Sequence, residues 1–577
     1  MAMKRAFLSG SLVMGMLICL PAAAQLPSAS GEPVWAKAKA GVAAPVGLRS
    51  PVAALSARRI ELVAPSAREM QAMAGSEKRA QVGIARNIGA ERDGRQEELA
   101  WTALKEGGWS AHLQVRSASA ASLRLGVAVA NLPPGAEVRF APAGPYGAAA
   151  TLVPGAEVTA AMREQGIYWG PVIDGDAQLI EITLPAGREP RAIRARIEQV
   201  SHLAVSAHSG FAKAAASAVS GVCNEDVACI ASPSEAFQNA RRAVAKMVFT
   251  SNGNTYLCSG TLLNDTDPSS QIPYFHTAAH CIDSQAAAST LNTFWFYESP
   301  SCGAGSPGAY TQLSRGAKLL HSNAATDVTL LRLSDPAPQG AWFAGWDANV
   351  PATSSNMIAL HHPHGDVKKV SVGQVLGLAS DGVESLVSAA WISGTTEPGS
   401  SGSGMFTLSG NQYLLRGGLK GGSASCENTG RVSDPSNRDY FSRLDLDIAK
   451  LATWLNGTNA PDDDFTDNWW NPDEPGWGLN VIQHATNGTM LVWLSYDEAG
   501  RAAWVYTPDC KWQGARRCSG TAFRATGLPW FERMRPGAAS MQAVGSITAE
   551  FTGGDSGVLT VSIDGRSITS NMVRQAF

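Results

Sequence analysis

Charge is scarce in this 577-residue chain. Asp, Glu, Lys and Arg make up 16% of it, against roughly 25% in an average globular protein, and the balance is a net −3. Without a basic excess there is nothing to hold a phosphate backbone, so a nucleic-acid reader is excluded. Long apolar runs are missing too: after Phe7–Leu20 no segment reaches the ~18 residues a membrane helix needs. Cysteine is absent from residues 25–222, and paired C-x-x-C spacing is absent throughout, which leaves a structural zinc site without its ligand framework. No internal repeat of about 20–50 residues exists, so solenoids and propellers drop out as well.

What is present begins with Lys4 and Arg5, the apolar stretch Phe7–Leu20, then Pro21 and three alanines before Gln25. These are the parts of a secretory signal peptide cleaved after Ala24, residues 1–24, and they predict a secreted protein. Cys19 lies inside that signal behind Ile18, where a lipid-anchor signal needs a small residue, so no lipid anchor is expected. Eight cysteines remain, an even number suited to an oxidising compartment, and counting alone leaves their pairing open. The 58 glycines exceed the usual ~7% and point to strands and loops. At ~150 residues per domain the length allows three or four domains.

Residues 25 to about 100, rich in Ala, Ser, Pro and Arg, read as partly ordered, with amphipathic pieces such as 67–74. Alternation of Leu123, Leu125, Val127 and Val129 predicts a strand with one face inward, and 177–184 reads as another. Together they fit a β-sandwich over 109–200, followed by a linker at 206–220 that contains Lys213. Between Cys223 and Leu455 short strands dominate (245–250, 255–263, 293–297, 328–333, 413–417), separated by Gly, Ser and Asn turns; one helix, 446–455, closes the segment. An acidic hinge, 456–467, leads to a last segment, 468–577, with seven of the chain's 16 tryptophans. It is expected to be β-rich, its tryptophans forming a core in preference to a platform, whose ligand would be a surface or a polysaccharide.

Three short motifs inside the cysteine-rich segment carry chemistry. Thr277-Ala278-Ala279-His280-Cys281 follows a strand, Asp327 opens one, and Gly399-Ser400-Ser401-Gly402-Ser403 sits among turn formers. Singly, each has an ordinary structural reading: a packed His, a strand-starting cap, a loop. In this order on a β-rich chain they form a Ser-His-Asp triad of the chymotrypsin type. Ser401 is the expected nucleophile, His280 the base that takes and returns its proton, and Asp327 the carboxylate that fixes the imidazole tautomer. Gly399 permits a turn that aims its own N–H and that of Ser401 at one point, an oxyanion hole.

These motifs, with Cys258-Ser259-Gly260, Gly345-Trp346-Asp347, His361-His362-Pro363 and Thr396-Glu397-Pro398, resemble the secreted bacterial lysyl endopeptidases over roughly residues 220–455. The resemblance implies an all-β, chymotrypsin-like double β-barrel protease domain (214–455). It also implies a β-rich propeptide (25–213) that aids folding or inhibits, and disulfides Cys223 to Cys426, Cys229 to Cys302 and Cys258 to Cys281. Cys510 and Cys518 are assigned to a disulfide too. By the same resemblance, carried by Asn437-Arg438-Asp439-Tyr440, Asp439 with Gly421 and Gly422 forms the pocket for a basic side chain; position 395, six before Ser401, where trypsin-like enzymes commonly carry that Asp, is Thr. Lys420 stands where Lys-specific members have His, so Arg is admitted beside Lys.

The expected function is therefore a monomeric secreted serine endopeptidase acting on proteins or peptides, without cofactor or metal. His361, His362 and His364 belong to the resemblance and have no supporting carboxylate or Cys spacing for a zinc site. The rival from another class is an inactive protease-like adhesion protein; the presence of all three triad residues favours the enzyme. An esterase of the α/β-hydrolase type would place its nucleophile first and Gly at 403, which is Ser. For activation, Ser400 lacks the charge that pairs with a new N-terminus in ordinary trypsin-like zymogens. The Cys223 to Cys426 link is expected to anchor the N-terminal strand instead.

Overall fold

A computed structural model describes residues 27–35, 46–50, 57–73, 80–88, 99–143, 150–206, 220–456 without 269 and 381–384, 464–483 and 489–575 without 514–515, 530, 533–537 and 553. The expected signal peptide and Lys213 lie outside them. Strands dominate. Residues 57–206 form a sandwich. In one sheet Ala177–Leu184 lies between Trp109–Ser117 and Glu137–Pro142, and the other pairs Ser122–Ala130 with Arg194–Leu203. Leu113, Val115, Leu125, Val127, Val138 and Ile180 fill the space between. The alternation in 123–129 predicts a half-buried strand, yet Ser122–Val129 is buried on both faces. The helix-side segment 167–169 covers the polar-looking face: a Cβ on Gly126 would meet Ile167 Cδ1 at 2.6 Å.

Residues 220–455 hold the two β-barrels of a chymotrypsin-like fold. The first contains Val244–Ser251, Asn254–Leu263, Tyr274–Thr277, Asn292–Trp295 and Val328–Leu333. The second contains Asn356–His361, Lys369–Ser380, Ser385–Ser393, Gly404–Ser409, Gln412–Gly422 and Asp439–Phe441. They meet through one buried cluster that joins Tyr274 and Leu330 of the first to Leu360 and Phe406 of the second. The closing helix, Leu444–Leu455, packs on this cluster because Leu444, Ile448, Leu451 and Leu455 recur at helical spacing. Asp445 and Asp447 in its first turn suit the positive end of the helix dipole.

Two features tie the N-terminal region to the barrels. The strand Ala80–Asn87 pairs with both Arg194–Leu203 and Asn254–Leu263, so the sandwich and the first barrel share a sheet. Residues 28–33, within the stretch expected to be partly ordered, instead pair with Phe343–Trp342 and Asp347–Trp346 of the segment joining the barrels. At the other end, 464–575 form an antiparallel sheet that Tyr506 opposite Phe523 closes on itself. Its core contains Phe465, Trp469, Trp512 and Phe551, whereas Trp504 is 50% exposed. Four disulfides are formed: Cys223–Cys426, Cys229–Cys302, Cys258–Cys281 and Cys510–Cys518.

Candidate active site

The turn after Tyr274–Thr277 presents His280, and the Cys258–Cys281 disulfide staples that turn to the neighbouring strand. Asp327 stands immediately before Val328–Leu333 with φ at +55°, a conformation Asp tolerates better than most residues. That bend turns its side chain back onto the His280 turn. Asp327 Oδ2 lies 2.8 Å from His280 Nδ1, and Oδ1 accepts the His280 backbone N–H at 2.9 Å. The carboxylate thus fixes both ring and backbone, puts the proton on Nδ1 and leaves Nε2 as the acceptor. Nε2 is buried and, among the described residues, has no hydrogen-bond partner, Ser401 Oγ included.

Ser401 is held beside the His280 turn through its neighbours. Its carbonyl accepts the Ser259 N–H at 2.8 Å, and Gly402 donates to Leu419 at 2.8 Å. Gly402, at φ +79°, sits so close to the His280 turn that a Cβ would lie 2.2 Å from Thr277 Oγ1. Gly399, at φ +96°, has the backbone a tight turn requires, and its carbonyl is held by Ser259 Oγ at 3.0 Å. The N–H groups of Ser400, Gly402 and Ser403 are all hydrogen-bonded, while among the described residues those of Gly399 and Ser401 have no partner. Two free donors flanking one residue in a buried turn can receive an oxyanion.

Asp439 lies on the strand Asp439–Phe441 with 1% of its surface exposed. Its Oδ2 accepts hydrogen bonds from Trp391 Nε1 and Thr396 Oγ1, each at 2.6 Å. Burial pushes its carboxyl up, against these hydrogen bonds and one from the Ala424 backbone. No cation among the described residues pairs with it. Gly422 is needed beside it, since a Cβ there would be 2.4 Å from Asp439 Oδ1; Gly421, at φ +133°, faces open space. Thr395 Oγ1 is buried with no partner. A buried carboxylate without a paired cation favours the approach of one.

The structure shows what Ser259, His361, Thr396 and Glu397 of the resemblance motifs do, and adds Ser371, Trp391 and Asn224, which no motif singles out. Ser259 donates to Gly399 and accepts the His362 N–H. His361 spends Nδ1 on Ser400 Oγ and Nε2 on Ser371 Oγ, at 2.8 and 3.0 Å, and burial with Lys369 nearby pushes its pKa down to about 3. It is therefore a neutral strut beneath the residue preceding Ser401. Trp391 and Thr396 orient Asp439. Glu397 accepts the Gly221 N–H at 3.0 Å and Asn224 Nδ2 at 2.9 Å. No local pattern gives these roles, because most of the partners lie far along the chain.

Two family models match this sequence: the lysyl endopeptidase N-terminal domain over residues 51–204 and the lysyl endopeptidase C-terminal domain over 217–442. A lysyl endopeptidase of Pseudomonas aeruginosa is 35% identical over 459 residues, spanning 76% of this chain and 96% of that protein. Among solved structures, a thermostable serine protease from an extremophilic microorganism has a TM-score of 0.28 at 15% identity, over 37% of this chain and 96% of that one. The active form of an M. tuberculosis protease has a TM-score of 0.26 at 14% identity, over 40% of this chain and 91% of that one.

Proposed function

Because the chain belongs to the lysyl endopeptidase family and is a trypsin-like serine endopeptidase, we propose that it hydrolyses peptide bonds after Lys, and also after Arg, through Ser401, His280 and Asp327. His280 Nε2 takes the Ser401 proton as Oγ attacks the carbonyl carbon, and the Gly399 and Ser401 N–H groups hold the resulting oxyanion. The proton passes to the leaving amine, and water resolves the acyl-enzyme by the same route in reverse. The observation that carries the specificity is the buried Asp439 carboxylate without a cation. A Lys or Arg side chain completes the pair, and an apolar one leaves the charge desolvated.

The same reading makes 1–24 a signal peptide, 25–213 a propeptide and 468–577 an accessory domain whose exposed Leu494, Tyr496 and Trp504 suit a surface or polysaccharide ligand. Four disulfides fit an oxidising, extracellular setting. Mass mapping of peptides released from a denatured protein tests the central claim. Products ending in Lys or Arg are expected, and equal cutting after apolar residues would sink the pocket assignment. A fluorophosphonate probe should label the parent and leave Ser401→Ala unlabelled; label surviving that change would remove Ser401 as nucleophile.

A further inference from the structure

Residues 27–35 precede the sandwich in sequence, yet among the described residues no strand pairing, hydrogen bond or core contact joins them to it. They pair instead with the segment that carries the chain from the first barrel to the second. Ser28–Ala29 runs antiparallel to Trp346–Asp347, and Glu32–Pro33 antiparallel to Trp342–Phe343. The Val34 N–H donates to Ala341 at 3.1 Å, and the Ala348 N–H to Pro27 at 3.2 Å. That segment is itself shared, since Ala344 bridges Leu263 of the first barrel and Trp346 pairs with Leu415 of the second. Side chains from both barrels then reach the backbone of 27–35. Asn264 Nδ2 donates to the Ser30 carbonyl at 2.8 Å, and Gln271 Oε1 accepts the Trp35 N–H at 2.9 Å, both from the first barrel. Gln412 Oε1, at the start of a second-barrel strand, accepts the Gly31 N–H at 2.9 Å.

The fit is close at its centre. A Cβ on Gly31 would lie 2.4 Å from Trp342 Nε1 and 2.7 Å from the Phe343 carbonyl, and one on Gly345 would lie 2.6 Å from the Ala29 carbonyl. Val34 packs on the core of the first barrel, while Ala29 is buried in the cluster common to both. That cluster also contains Tyr274, Val328 and Phe406. Tyr274 opens the strand that leads to His280, Val328 follows Asp327, and Phe406 lies on the strand after Ser401. We propose that residues 27–35 are a clasp of the protease unit, that the groove along 341–348 is a binding site for this peptide, and that the peptide stays there once the sandwich is gone, leaving a matured enzyme of two chains. The last step alone rests on the propeptide reading given above. Recognition is by strand addition, in which backbone hydrogen bonds supply the affinity and small residues the fit. By spanning both barrels the clasp fixes the junction at which the two halves of the triad face each other.

The test has two arms. In the first, matured enzyme is isolated from the full chain under native conditions, denatured and weighed by mass spectrometry. One equivalent of a peptide containing residues 27–35 is expected per protease chain, and a fully active enzyme without it would overturn the proposal. Retention of 57–206 in the active enzyme would refute the propeptide reading and with it the two-chain form, leaving the clasp to the second arm. There Gly31→Val, introduced into the full chain, should lower turnover of an external Lys peptide by about tenfold through misplacement at the barrel junction. A synthetic peptide of residues 27–35 added in trans should restore turnover, and the same peptide carrying Gly31→Val should not. If that variant does not fold, Gln412→Ala carries the arm: it removes only the acceptor of the Gly31 N–H and should show the same rescue at smaller amplitude. Turnover at the parent level in both variants, or equal rescue by the two peptides, would overturn the clasp. A parent chain inactive on every basic peptide refutes the proposed function, and the clasp is then read from unfolding midpoints of the same variants with and without added peptide.

Discussion

In the proposed function Asp439 serves binding at the expense of stability. Its carboxyl, raised by burial, holds a proton more tightly in the folded than in the unfolded chain. Its contribution to stability is therefore complete below the unfolded pKa and is lost as pH rises through the folded one. Asp439→Asn should lower kcat/KM for Lys and Arg peptides by about 2–5 kcal/mol in transition-state terms, the cost of breaking a desolvated charge pair, with Ser401 labelling retained. The same variant should also resist urea better than the parent at about pH 8, the advantage shrinking toward about pH 4. Urea midpoints at the two pH values check this, and a variant no more stable at the higher pH would contradict the uncompensated charge. Beside the triad, Ser400→Ala removes the hydroxyl shared by His361 Nδ1 and the Glu397 N–H. A loss of about 1–3 kcal/mol in unfolding free energy is expected for the orphaned partners.

Short elements explain what could be read beforehand. The strand 177–184 and the strand 328–333 coincide with their sequence readings because alternation and turn residues mark both ends locally. The His280, Asp327 and Ser401 motifs were legible for the same reason: each sits in a turn whose residue types are demanded by its backbone. What lay hidden depends on pairing across the chain. The anchoring of residues 220–224 is the clearest case: the Cys223–Cys426 bond follows from the resemblance, whereas the tethering of Gly221 and Asn224 by Glu397 and the hydrogen bond from Ser220 to Asp366 do not. Glu397 is four residues from Ser401, so under the proposed function this strap would order the turn of the nucleophile through side chains rather than through a terminal amine. Trimming the matured chain by one or two residues upstream of Cys223 should leave activity within about threefold, while Glu397→Ala should cost about 1–3 kcal/mol of stability and lower kcat. Strict dependence on a single N-terminal residue, read from a ladder of truncated chains, would refute this arrangement.

Across the whole molecule, the three parts differ in how far they depend on one another. The sandwich and first barrel share a sheet, a buried cluster and the Arg315–Glu157 ion pair at 2.6 Å, so the N-terminal region is part of the fold in the full chain. The C-terminal barrel has its own core by contrast: among the described residues that core, from Phe465 to Met572, includes no residue of the protease barrels, and its disulfide Cys510–Cys518 is internal. Every group assigned to catalysis or to the basic pocket lies between Ser259 and Asp439. Ending the chain after Asn456 should therefore leave kcat/KM for a short Lys peptide within about twofold, because no transition-state contact is removed. Active-site titration with the fluorophosphonate, followed by peptide turnover per labelled site, separates lost folding from lost catalysis. Fewer labelled sites with unchanged turnover would assign the barrel a folding role, and a turnover reduced by tenfold or so per site would bring it into the catalytic unit.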